Sequence, residues 1–155
     1  MGLMSTLKDQ LRTDLTSAMK ARDKDRAGTL RMVMASITEA EVAGKEAKEL
    51  TDDEIITILT REAKKRREAA TAFAEGGRTE QAEKETAEAA VITEYLPAQL
   101  SAEEISDLVS KAIAQTGAAE EGMRAMGKVM GVLTPQTKGR ADGGAVAAEV
   151  RKQLG

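Results

Sequence analysis

The chain has 155 residues, a formal net charge of −3, 1% aromatic residues, no Cys and no His. This excludes disulfides and thiol chemistry, removes the commonest general base and transition-metal ligand, and leaves only local basic patches as a route to a polyanion. With one Tyr, one Phe and no Trp, any core is built from Leu, Ile, Val, Met and Ala; beside abundant Glu, Lys and Arg, that favours helices over sheet.

In chain order, Met1-Gly2-Leu3-Met4-Ser5-Thr6 formally fits a myristoylation pattern, which chance also produces. Leu7, Leu11 and Leu15 with Ala18 and Met19 make one apolar face of a first helix, with Ser5 or Thr6 as cap and an end near Arg22-Asp23. Asp23 or Asp25 caps a second helix carrying Leu30, Val33, Met34, Ile37 and Ala40, with Gly44 at the C′ position. Thr51-Asp52-Asp53-Glu54 is a capping box, and Leu50 is placed to staple onto Ile55. The third helix buries Ile55, Ile58, Leu59 and Ala63, turns basic at Lys64, Lys65, Arg66 and Arg67, and stops at Gly76-Gly77. A fourth, over residues 79–94, is rich in Ala and Glu. Its Glu80, Glu83, Glu85 and Glu88 can face the basic half of the third helix in an antiparallel hairpin. The basic cluster therefore reads either as half of that hairpin or as a nucleic-acid patch.

Pro97 forces Leu96 out of helix, so Tyr95-Leu96-Pro97 marks a boundary. Domains are expected over residues 1–96, with about four helices, and 97–155, with three. Ser101-Ala102-Glu103-Glu104 is a second capping box, with Leu100 before it. The fifth helix carries Ile105, Leu108, Val109, Ala112 and Ile113 and stops before Gly117. The sixth has Met126, Val129, Met130 and Leu133 at helical spacing. Gly127 and Gly131 leave two successive turns bare on one side, which allows another backbone to pack close. Pro135 is expected to end that helix or open the next turn. Lys138-Gly139-Arg140 is a basic turn, and a last helix over residues 143–153 buries Val146, Val150 and Leu154. The fold class expected is all-α.

The candidate chemistry is sparse. No P-loop or Rossmann glycine pattern is present, no His activates a Ser or Thr, and Glu-x-x-Glu spacings lack the His of a diiron site. Catalytic residues, metal ligands and cofactors are all expected to be absent. No apolar run approaches the roughly 20 residues of a membrane span and no signal peptide is visible, so the expected location is cytoplasmic, away from membranes. Lys128, Lys138 and Arg140, with Arg124 and the residue without Cβ at Gly139, form the candidate phosphate-binding set. A helical hairpin with a solvated basic turn accounts for the same residues. Lys64, Lys65, Arg66 and Arg67 form a secondary patch. With so few aromatics, any RNA is held by shape and phosphates. Asp142, Glu120 and Glu121 oppose it.

The strings Tyr95-Leu96-Pro97-Ala98-Gln99-Leu100-Ser101 and Lys138-Gly139-Arg140-Ala141-Asp142-Gly143 together resemble the GatB/YqeY family. The whole chain is similar to stand-alone YqeY-type proteins from about Leu7 to Leu154. Residues 125–154 resemble the tail of GatB, the tRNA-handling subunit of the glutamine-dependent tRNA amidotransferase. The resemblance implies a tRNA-contacting helical module and, as partners, tRNA and an aminoacyl-tRNA-handling protein. A carbon–nitrogen ligase label with glutamine as amide donor attaches through that tail alone; the catalytic domain of GatB has no counterpart here. The reading is an accessory tRNA-binding module, not catalytic by itself. A helical protein–protein adaptor that shares only the tail scaffold is the alternative.

Overall fold

The computed structural model describes residues 6–155; the candidate cap Ser5 and the rest of the opening pattern before Thr6 lie outside them. Among the described residues there are seven α-helices and no strand, so the fold is all-α. The helices are α1 (Thr6–Lys20), α2 (Lys24–Glu41), α3 (Asp52–Glu75), α4 (Thr79–Thr93), α5 (Ala102–Thr116), α6 (Met126–Thr137) and α7 (Gly143–Leu154). Two 3-10 turns, Ala118–Glu120 and Gly122–Ala125, join α5 to α6. The chain divides into two compact units, one ending at Leu96 and the other Pro97–Gly155.

The first unit closes around Leu11 of α1, Leu30, Val33 and Ile37 of α2, Ile55, Leu59 and Ala63 of α3, and Ile92 of α4. Local signals set most of its helix ends. The Asp23 carboxylate accepts from the Arg26 N–H, and Thr51 with Glu54 makes the complete capping box that starts α3. Leu50, just before that box, is buried in the same cluster as Ile55. Gly77, at φ 77°, takes the left-handed position after α3, and the Arg78 N–H reaches back to Phe73 O.

At the end of α2 the structure departs from the expected glycine stop. The helix ends at Glu41 with Val42 as C-cap, and Gly44 is not in the left-handed region. A long-range contact terminates it earlier: the Glu41 carboxylate accepts from Lys8 Nζ at 2.8 Å and from the Leu50 N–H at 3.2 Å, turning the chain back there.

The second unit has its own core. Val109, Ala112 and Ile113 of α5, Val129 and Leu133 of α6, and Val146, Val150 and Leu154 of α7 meet around Ala118 and Ala125. Ser101 and Glu104 form the complete capping box of α5, and Gly117, at φ 68°, is its left-handed C-cap.

Candidate nucleic-acid interface

Of the candidate cations of the second unit, Lys128 lies on α6, Lys138 and Arg140 in the turn behind it, and Arg124 in the 3-10 turn before it. Val129, Leu133 and Thr137 are buried at intervals of four and pin one side of α6 to the core. The Thr137 hydroxyl is satisfied by donating to Leu133 O at 3.1 Å. At 100° per residue, Gly127, Gly131, Thr134 and Lys138 then fall within about 60° of one another, away from that buried side. All four are exposed. A Cβ on Gly127 or Gly131 would meet nothing within 4 Å. The bare side that the sequence offered for close backbone packing is therefore not used within the unit; it faces solvent.

Pro135 lies inside α6 rather than at its end. Its missing N–H would have bonded the carbonyl of Gly131, on the exposed side where water can take its place. The Lys138 N–H closes the last turn on Thr134 O at 3.0 Å.

The basic turn is held from within the unit. Gly139 is buried with φ 73°, a conformation that disfavours residues with a Cβ. Its carbonyl accepts from Gln99 Nε2 at 2.7 Å, and the same amide nitrogen donates to Pro97 O at 2.8 Å. The Leu100 N–H donates to Arg140 O at 2.8 Å. Arg140 Nε donates to Ala98 O at 3.0 Å and Nη1 to Gln136 O at 3.4 Å. Arg140 thus spends these donors on backbone carbonyls, which leave its charge uncompensated. That charge also helps hold the Glu104 carboxyl below its usual range, after the larger effects of the Ser101 N–H and hydroxyl.

The remaining cations differ in freedom. Lys128 Nζ is 3.0 Å from Glu121 Oε1, with both side chains largely exposed, a pairing of about 0–1 kcal/mol that a phosphate can displace. Arg124 and Lys138 are exposed and make no ion pair among the described residues. Lys138 also sits where the carbonyl end of α6 favours a cation. Asp142 is the N-cap of α7, and its backbone carbonyl accepts from the Ala145 and Val146 N–H groups. The structure thus puts Lys138 on the open side of α6 and Lys128 beside it, leaves Arg124 in the 3-10 turn before the helix, and has Gly139 and Arg140 form the turn after it.

The secondary patch on α3 is largely compensated inside the first unit. Arg66 lies 3.1 Å from Glu62, 3.4 Å from Glu88 and 3.9 Å from Glu85, so it pairs across the α3–α4 hairpin. Lys65 pairs with Glu62 at 3.5 Å, and Lys64 also has a partner. Arg67 alone of the four stands exposed without an ion pair among the described residues. Burial, and then the neighbouring Glu85, push the Glu88 carboxyl above its usual range.

Two residues that sequence reasoning did not single out shape this site, Gln99 and Ala98, which tie the turn to the start of the unit. The signal was there in another form: the two strings that carry the family resemblance are the two that touch. Among the described residues no group of three or more Asp or Glu side chains is placed to hold a metal ion, and no helix is long and apolar enough to cross a membrane.

The profile of the family described as Yqey-like protein matches residues 8–154. Over 151 residues the chain is 30% identical to altered inheritance of mitochondria protein 41, mitochondrial, of Pyrenophora tritici-repentis, which covers 94% of this chain and 80% of that protein. Over 92 residues it is 34% identical to an uncharacterized protein of Schizosaccharomyces pombe, which covers 59% of this chain and 72% of the other.

Proposed function

The chain belongs to the YqeY-like protein family, and on that premise we propose that it is an accessory RNA-binding helical module whose second unit holds folded tRNA by its phosphates. It does no bond-making of its own. The observation that carries this reading is the open side of α6. Two helix-interior glycines each forgo about 1 kcal/mol of helix propensity, and no packing inside the unit explains them. A polyanion backbone can approach a helix surface most closely where side chains are missing, with Lys138 on that side, Lys128 beside it and Arg124 in the turn before the helix. The resemblance read from the sequence of residues 125–154 to the amidotransferase tail favours tRNA over other folded RNAs, and an aminoacyl-tRNA-handling protein as the partner.

With about three phosphate contacts, binding is weak and steep in salt. A slope of about −2 to −3 in log K against log salt corresponds to a loss of about 20–60-fold between 50 and 200 mM. The test is fluorescence anisotropy of labelled bulk tRNA titrated with the whole protein at both salts, wild type against Lys138→Glu. Saturable binding at 50 mM salt, weakened about tenfold or more by the substitution, is expected. No binding at 50 mM, or binding indifferent to Lys138→Glu, contradicts the reading.

A further inference from the structure

The corner between α1 and α2 carries a surface that the RNA reading does not use. Met19 is 54% exposed there. It lines a shallow groove of about 460 Å³ whose apolar floor is Ala18 and Ala27, both buried, and whose rim is Arg22, Asp23, Lys24 and Arg31. Lys20 is exposed beside it. Lys20, Arg22, Lys24 and Arg31 make no ion pair among the described residues. The carboxylate of Asp23 already accepts from the Arg26 N–H at 3.1 Å. In a chain of net charge −3, three cations without carboxylate partners thus line the groove with one exposed methionine, and Lys20 follows that methionine in the chain.

The backbone reinforces the point. The Asp23 N–H bonds Ala18 O at 2.9 Å and the Arg22 N–H bonds Met19 O at 3.1 Å, which makes Arg22 the left-handed residue of a Schellman end, at φ 59°. Glycine is the easy choice at that position, and a residue with a Cβ is disfavoured there. A cation stands on the rim of the groove in its place. The carbonyl end of α1 favours Lys20 and Arg22, but it does not account for Lys24, which opens α2 where a cation is disfavoured, or for Arg31 in mid-helix.

The chemistry narrows the occupant. Nucleic acid would use the cations but has no use for a methionine over an alanine floor, and no aromatic is present to stack a base. A lipid surface takes apolar side chains that protrude, whereas this one lines a concavity. A peptide segment with one large apolar side chain between carboxylates matches both features. We propose that the α1–α2 corner docks an acidic segment of a partner protein, seating one apolar side chain against Met19, Ala18 and Ala27 and carboxylates on Arg22, Lys24 and Arg31. The contact is small and ion-steered, hence transient and sensitive to salt. It is independent of the α6 surface.

The probe is a fluorescein-labelled peptide of twelve residues, a single leucine among glutamates and aspartates, with a second peptide carrying serine in place of the leucine. Both are titrated into the whole protein at 50 mM salt by anisotropy, with the methionine methyl groups followed by NMR. Expected are saturable binding of the leucine peptide, a shift of the Met19 methyl, about fivefold to tenfold weaker binding of the serine peptide, and about tenfold loss with Arg22→Glu plus Arg31→Glu. Arg22→Gly keeps the left-handed turn and removes one cation, so it should weaken the peptide while the protein stays folded; Lys138→Glu should leave the peptide untouched. Equal binding of the two peptides, no binding at all, or a Met19 methyl that answers to bulk tRNA or to phosphatidylglycerol vesicles instead would overturn the proposal.

Discussion

At the scale of single residues, glycines in this chain do opposite jobs that their letters do not distinguish. Gly139 is buried at a positive φ and its carbonyl is bonded to Gln99. Gly127 and Gly131 are helical, exposed and contact-free. A Cβ at either of these two meets only solvent, so Gly127→Ala with Gly131→Ala should stabilise the protein by about 1–2 kcal/mol. Urea unfolding followed by circular dichroism reads this directly; a loss of stability would mean that the bare side is packed after all. Spacing alone placed these glycines on one side of α6. It did not tell whether that side was covered, because covering is decided by α5 and α7. The bonds from Gln99 to Gly139 and from Arg140 to Ala98 join residues about forty apart, and no local pattern announces them.

Among the elements, the α3–α4 hairpin shows how a basic run is consumed. Glu62, Glu85 and Glu88 share one guanidinium, and the side chain of Arg66 is only 14% exposed. Removing Arg66 takes the guanidinium from Glu85 and Glu88 and leaves Glu62 with Lys65 alone, so Arg66→Met should cost about 2–3 kcal/mol at pH 7.5. The pH dependence has a definite sign. The Glu88 carboxyl is raised by burial and by Glu85. Its proton therefore favours the folded state at low pH, and that contribution is lost as pH rises through the folded value. The deficit of Arg66→Met relative to wild type should accordingly shrink between pH 7.5 and pH 5 in parallel urea titrations. Equal deficits at the two pH values would argue against the shared cluster. Glu41 runs the other way: lowered by its bond from Lys8 and by the Leu50 N–H, it stabilises the fold at neutral pH and loses that contribution as acid protonates it.

The same helices mark what the sequence makes legible. The capping boxes at Thr51–Glu54 and Ser101–Glu104 are four-residue patterns, and both form complete. The end of α2 needed a lysine thirty-three positions away, and the end of α6 lies past a proline. Local chemistry announced the capped starts of α2, α3 and α5 and the glycine ends of α3 and α5, but not the uncapped starts of α4 and α6.

On the scale of the whole molecule, two cores stand side by side in the sequence, one around Leu30, Ile55 and Leu59 and one around Val129, Leu133 and Val150. Truncating a fully buried leucine costs about 2–5 kcal/mol. Because Leu133 belongs to the second core alone, Leu133→Ala should speed amide hydrogen exchange within residues 97–155 and leave Leu30, Val33 and Ile37 protected. Equal loss of protection in both units would show that they unfold as one. The two proposed surfaces divide in the same way, the open side of α6 in one unit and the cationic groove at the α1–α2 corner in the other.

The most direct measurement is a backbone amide NMR titration of the whole protein with bulk tRNA at 50 mM salt. The amides of Gly127, Gly131, Thr134 and Lys138 should shift or broaden first, and should recover at 200 mM. Shifts confined to α3, or a spectrum that tRNA leaves unchanged at 50 mM, would contradict RNA binding on the open side of α6.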